Sequence, residues 1–163
     1  MPSNPRPYQV RAKTACEAVG LDRDRFNEDC AANIYTCAPP TEAGKARIFY
    51  EPDLIALYFY AHLRRWGLTA ERAANVACRV GEQARQLVNT GQDIVGDVVI
   101  GFDHAGSTYC GLGKGVSETV DGTQNAFGGT YSPMVMSWRF ALQNVLIIVK
   151  ERVEDLTAAR GED

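Results

Sequence analysis

Arg47-Ile48-Phe49-Tyr50-Glu51-Pro52-Asp53-Leu54 changes character halfway along. Its first four residues have the branched and aromatic make-up of a short strand. Glu51-Pro52-Asp53 then opens a helix. Proline is tolerated in a first helical turn, and carboxylates suit the positive end of the helix dipole. The helix is predicted to run to Trp66 and stop at Gly67. Its segment Leu54 to Ala61 is apolar nearly all round, so it is expected to be buried on more than one side, at the centre of its domain.

Downstream, Thr69 is a good cap for the next helix, with Glu71 early in its first turn. Ala73, Val76, Ala77, Val80, Ala84 and Leu87 recur at helical spacing until Asn89-Thr90-Gly91. Upstream, residues 12–19 read as a short helix that Gly20 stops. Asp22 caps a second helix to about Ala32, with Phe26 and Cys30 facing inward. Two short helices across a tight glycine turn form a helix-turn-helix pattern. Ile34-Tyr35-Thr36-Cys37 is another strand-like run. With Pro39-Pro40 and Gly44 as the turn, it is expected to pair with Arg47–Tyr50 as a hairpin, or wing.

Beyond residue 90 the pattern differs. Asp97 to Phe102 and Ser107 to Gly111 read as paired strands around Asp103-His104-Ala105-Gly106. Residues 111–130, rich in small and polar types, read as a long loop. Met134, Met136, Trp138 and Phe140 share one face of a strand. Leu142, Leu146, Val149, Val153 and Leu156 then follow with heptad spacing and are assigned to a dimer seam. The organisation expected is α+β: a flexible, proline-stiffened arm over 1–11, a winged helix-turn-helix over 12–90, and a β-rich dimerisation or effector domain over 91–163.

The 163 residues are 45% apolar, enough for an ordinary core. No apolar run is long enough to span a bilayer. The N-terminus has no secretory pattern. The five cysteines, at 16, 30, 37, 78 and 110, are odd in number and irregularly spaced. That argues against a disulfide framework, and the lack of a CxxC pair argues against a closed zinc site. Cys16 and Cys78 read as small core residues. No metal or cofactor is expected, and the reducing cytoplasm is the expected compartment. The net charge is −3, yet residues 1–90 hold 12 Lys/Arg against 10 Asp/Glu, while residues 91–163 hold 5 against 10. The basic excess lies with the helix-turn-helix.

The first 90 residues resemble the MerR-like winged-helix family of bacterial and prophage regulators. Three pieces in order carry the resemblance. Ala15-Cys16-Glu17-Ala18-Val19-Gly20-Leu21 resembles the helix-turn-helix entry. Arg47 to Leu54 resembles the passage from wing to helix. Leu63-Arg64-Arg65-Trp66-Gly67-Leu68-Thr69-Ala70-Glu71 resembles the next helix junction. Where the family carries an Arg-Tyr-Tyr-Glu type stretch on its recognition helix, this chain has Asn27-Glu28-Asp29-Cys30.

Double-stranded DNA needs cations for its phosphates and polar side chains at the start of a helix that fits the major groove. Arg23 and Arg25 stand in the first turns of the candidate recognition helix, and Asn27 is placed to read adenine. Lys45 and Arg47 lie on the wing, where the resemblance implies a phosphate contact for Arg47. Lys13 faces the turn. The function expected is a dimeric, non-catalytic, sequence-specific regulator of transcription with no membrane partner. The alternative from another class is an adaptor or antirepressor whose acidic helix meets a basic protein. A third reading, a ligand sensor using the loop of the second domain, leaves the effector unknown. Enzyme readings are disfavoured. Asp103-His104 and Ser107 sit within one short turn, where a triad cannot easily form. Gly111-Leu112-Gly113-Lys114-Gly115 lacks the spacing of a phosphate-binding loop. His62 reads as a satisfied structural histidine.

Overall fold

The computed structural model describes residues 7–103, 108–112 and 134–161. Its elements are β1 (Gln9–Arg11), α1 (Ala12–Val19), α2 (Arg23–Ala31), β2 (Ile48–Tyr50), α3 (Glu51–Arg65), α4 (Ala70–Asn89), β3 (Asp97–Asp103), β4 (Thr108–Leu112), β5 (Met134–Ala141) and α5 (Leu142–Arg160). The fold is mixed α+β with two small antiparallel sheets. One pairs β1 with β2, and the other has the order β4-β3-β5.

The all-round apolar pattern of α3 is matched by its surroundings. Eleven of its fifteen residues are buried. Leu54, Ile55, Leu57 and Leu63 are wholly enclosed. The helix start is held by Asp53, a buried carboxylate that accepts from the Tyr50 N–H at 2.9 Å and pairs with Arg85 at 2.9 Å. Burial works against the Arg85 cation, but Asp53 and Glu82 outweigh it and raise its pKa. Arg85 comes from α4, the principal packing partner of α3. The two helices meet closely at Gly81, where a Cβ would come 2.8 Å from the Ala56 Cβ. Only glycine permits that approach without a shift.

The expected wing does not form. Ile34 to Cys37 lies in turns after α2, and β2 pairs instead with β1, with Val10 opposite Phe49. Burial explains the exchange. Tyr35 is 2% exposed, its ring 5.0 Å from those of Phe26 and Tyr60. Cys37 is tied to Cys78 of α4 by a disulfide. Both draw the run inward, away from β2. Val10 then supplies the apolar partner that Phe49 requires, so residues 9–11 are a strand, not part of a free arm. The disulfide also corrects the reading of Cys78 as a plain core thiol. It runs against the expectation of a chain without disulfides and removes the cysteine argument for a reducing compartment.

The expected dimer seam is an intramolecular one. Leu142, Val149 and Val153 are buried, while Leu146 and Leu156 pack half-buried against the same core. Helix α5 lies on α1 and α3. Lys150 pairs with Glu51, Arg160 with Glu17, and Arg152 donates to the Ala18 carbonyl at 3.3 Å. The stripe's apolar surface is therefore used within the chain. The division expected near residue 90 falls in a turn, but the core runs across it, since Val98, Ile100 and Leu142 cluster with Val19 and Phe59. Among the described residues, no helix is long and apolar enough to cross a membrane.

Candidate nucleic-acid interface

Three short pieces converge on one side of the molecule. The β1–β2 ladder places Arg11 opposite Ile48, next to Arg47. The Ala12 N–H donates to the Arg47 carbonyl at 3.0 Å, fixing the start of α1 and hence Lys13 beside the end of the preceding segment. Helix α1 stops at Gly20, whose φ of 71° is the left-handed conformation the sequence implied. The chain then turns into α2 through Asp22, whose carboxylate accepts from the Arg25 N–H at 2.8 Å. That cap sets the first turn of α2 and directs Arg23 and Asn27 toward α1. The third piece is the segment before β2. There the Thr41 hydroxyl donates to the Lys45 carbonyl at 3.1 Å.

These pieces enclose an open groove of about 350 Å³. Arg11, Lys13, Arg23, Lys45 and Arg47 line it together with Asn27 and Thr41, and no carboxylate is among its lining residues. Five of the six residues predicted from sequence thus share one groove. Carboxylates stand at its rim: Arg23 pairs with Asp24 at 3.0 Å, and Lys45 pairs with Glu42. Both pairs are exposed, where such contacts are worth little and give way readily to a competing anion. Lys13 is exposed and Arg47 is half-buried. The Arg47 guanidinium lies 3.3 Å from the Cys30 sulfur.

The sixth predicted residue lies elsewhere. Arg25 faces a second groove on another side of α2, of about 370 Å³, with Asp22, Asp29, Tyr60, Arg64 and Arg65. Its charges are largely committed. Tyr60 donates to Asp29 at 2.5 Å, Arg64 donates to the Leu68 carbonyl at 2.8 Å, and Arg65 to that of Val19. Burial and the Asp29 carboxylate raise the Tyr60 pKa. Sequence reasoning missed Arg11, which it assigned to a free arm. The available signal was the single alternation Gln9-Val10-Arg11, too short to identify a strand by itself.

The thiols near the basic groove are poor nucleophiles. Burial pushes Cys16 up to about 12. Burial also raises Cys30, against the lowering effect of Arg47. Both are protonated at neutral pH. Cys110, on β4, is pushed up to about 11 by burial. His62 stacks on Tyr58 at 3.9 Å, and its Nδ1 lies 3.1 Å from the Tyr58 carbonyl, an intrahelical structural arrangement. Among the described residues, no group of three or more His, Cys, Asp or Glu is placed to hold a metal ion. His104 to Ser107, Gly113 to Gly115 and the loop assigned to ligand sensing beyond Leu112 lie outside the described residues.

No protein-family model matches the chain, and no curated protein matches it.

Proposed function

We propose that the chain binds double-stranded DNA through the Arg11–Lys13–Arg23–Lys45–Arg47 groove and acts as a non-catalytic regulator of transcription, as the resemblance to MerR-like regulators implies. The observation that carries this reading is the gathering of five cations from three separate pieces of chain, with no carboxylate in the groove lining. A chain of net charge −3 that concentrates cations this way favours a polyanionic partner at that place. Helix α2 supplies the rest. Only Phe26 of its nine residues is buried, so its polar side chains face outward, available to base edges. The β1–β2 ribbon takes the supporting place that a wing would have.

Binding to duplex DNA across a salt series tests the reading. Affinity should fall steeply with salt as counterions are released. Arg47→Ala should weaken binding almost equally across sequences and reduce the salt slope by about one unit, the signature of one lost phosphate contact. Absence of binding at low salt would refute the reading. It would then favour the adaptor alternative, for which the exposed Asp24 and Glu28 of α2 are the supporting feature.

A further inference from the structure

The segment carrying one wall of the groove is tethered to the rest of the molecule by unequal means. Residues 40–46 are all exposed and have no regular structure apart from a turn. Their hydrogen bonds are local: the Lys45 N–H donates to the Glu42 carbonyl at 3.0 Å, and Thr41 bonds to the Lys45 carbonyl. At the downstream end, β2 and the Ala12–Arg47 bond hold the chain. At the upstream end, Tyr35 and Pro39 are buried, and the Cys37–Cys78 disulfide between them, which spans 41 positions, is the covalent tether to α4 in the core. Both cysteines are half-buried, within reach of a small reductant. Thr41 and Lys45, which line the groove, follow four and eight residues after Cys37.

We propose that the Cys37–Cys78 disulfide is a redox latch on the basic groove: oxidised, it holds the Thr41–Lys45 wall in place for a phosphate backbone; reduced, it releases that wall and weakens binding. The inference rests on the DNA-binding reading above and adds its regulation. The partner is a dithiol reductant. Its thiolate attacks one sulfur of the Cys37–Cys78 bond and displaces the other cysteine as a thiolate, which takes up a proton. The second thiol of the reductant then resolves the mixed disulfide. Two electrons and two protons pass to the protein, which leaves with two thiols, and the reductant leaves as its own disulfide. The cost of reduction is entropic. A wall already fixed in the oxidised chain must be ordered at each binding event in the reduced one.

The test uses the full chain with mixed-sequence duplex DNA, with and without a dithiol reductant, beside the Cys37→Ser/Cys78→Ser pair. Oxidised protein should bind about fivefold more tightly than reduced, the low end of ordinary coupling between sites. The double variant should match the reduced form in either condition. Amide hydrogen exchange over residues 40–46 should quicken on reduction, while that of α3 stays slow. This confirms that the fold persists even if the double variant does not express. In a Lys45→Ala background the redox gap should shrink, because a contact on the latched wall is gone. If oxidised protein binds DNA with a steep salt dependence and reduction leaves its affinity unchanged, the latch is overturned and the DNA reading stands. If neither form binds at low salt, the DNA reading fails and takes the latch with it. A chain whose Cys37 and Cys78 are both alkylated without prior reduction also overturns the latch.

Discussion

Helices α2 and α3 are neighbours built on opposite terms. Helix α3 buries eleven of fifteen residues and is gripped by α4, α5 and α1. Helix α2 buries one of nine, Phe26, and owes its start to a single carboxylate cap. Apolar contact outweighs local propensity where it is available, so α3 accommodates Ile55 and the aromatic run Tyr58-Phe59-Tyr60. Helix α2 lacks that reserve. Its hold on the core comes from Phe26, with Asp29 bonded to Tyr60 and Cys30 beside Arg47, while Arg23 to Arg25, Asn27 and Glu28 are exposed. A helix maintained at so little internal benefit is where an interface is expected, and the basic groove runs along it.

The sharpest way to break this contrast is to remove the anchor. The Phe26 ring lies 5.0 Å from Tyr35, 6.1 Å from Phe49 and 6.4 Å from Tyr60. It therefore joins α2 to β2, α3 and the turn after α2. Phe26→Ala should cost about 3–5 kcal/mol, as deletion of an enclosed aromatic does. The check is the urea midpoint at unchanged slope. A loss below about 1 kcal/mol, the size of an ordinary surface effect, would mean that α2 is held by something other than this ring.

A smaller effect tests the other support. Asp22→Ala removes the acceptor for the Arg25 N–H and should cost about 1 kcal/mol, while Asp22→Asn should be nearly neutral. Because α2 carries Arg23 and Asn27, the alanine variant should also lose DNA affinity, with asparagine restoring it. Equal stability in both variants would show that the cap does not support α2. Thr69→Ala provides the comparison at the start of α4. The Thr69 hydroxyl accepts from the Arg72 N–H at 3.3 Å, but α4 is held by its apolar face as well.

The same contrast explains what could be read from the sequence. Helix α3 follows from its unbroken apolar run and α4 from its helical spacing, and the limits of both lie within a few residues of those expected. The Asp22 and Thr69 caps and the Gly20 stop were legible because each uses a residue type suited to one local geometry. The sheet partners were not. Ile34–Cys37 and Gln9–Arg11 are both short, and composition favoured the former as the mate of β2. What decided the matter was three-dimensional: Tyr35 fits between Phe26 and Tyr60, and Cys37 reaches Cys78. The heptad spacing of α5 was read correctly as an apolar stripe. Its partner was not legible, because a stripe carries no mark distinguishing a second copy from the chain's own α1 and α3. Of the candidate site, local pattern supplied the cations, and only the fold separated Arg25 from the other five and brought Arg11 in.

The smallest predicted effect concerns a group on the buried helix itself. His62 faces Arg65 of α3 and Arg152 of α5, stacks on Tyr58 and meets Trp66 edge-on. Burial lowers its pKa, and the two arginines lower it further, against the raising effect of the Tyr58 carbonyl. The folded chain thus binds a proton here less readily than the unfolded chain, whose histidine titrates near about 6.5. The stability this contributes is complete above the unfolded value. It is lost as pH falls from there through the lower folded value. Urea midpoints at pH 7.5 and 5.5 (chosen, roughly, to stay above most carboxylate titrations) should therefore show a modest decline in the native chain. His62→Gln keeps an amide donor for the Tyr58 carbonyl and removes the titration, so its decline should be smaller. An identical decline in the variant would remove His62 as its source and shift attention to the other histidine of the chain, His104.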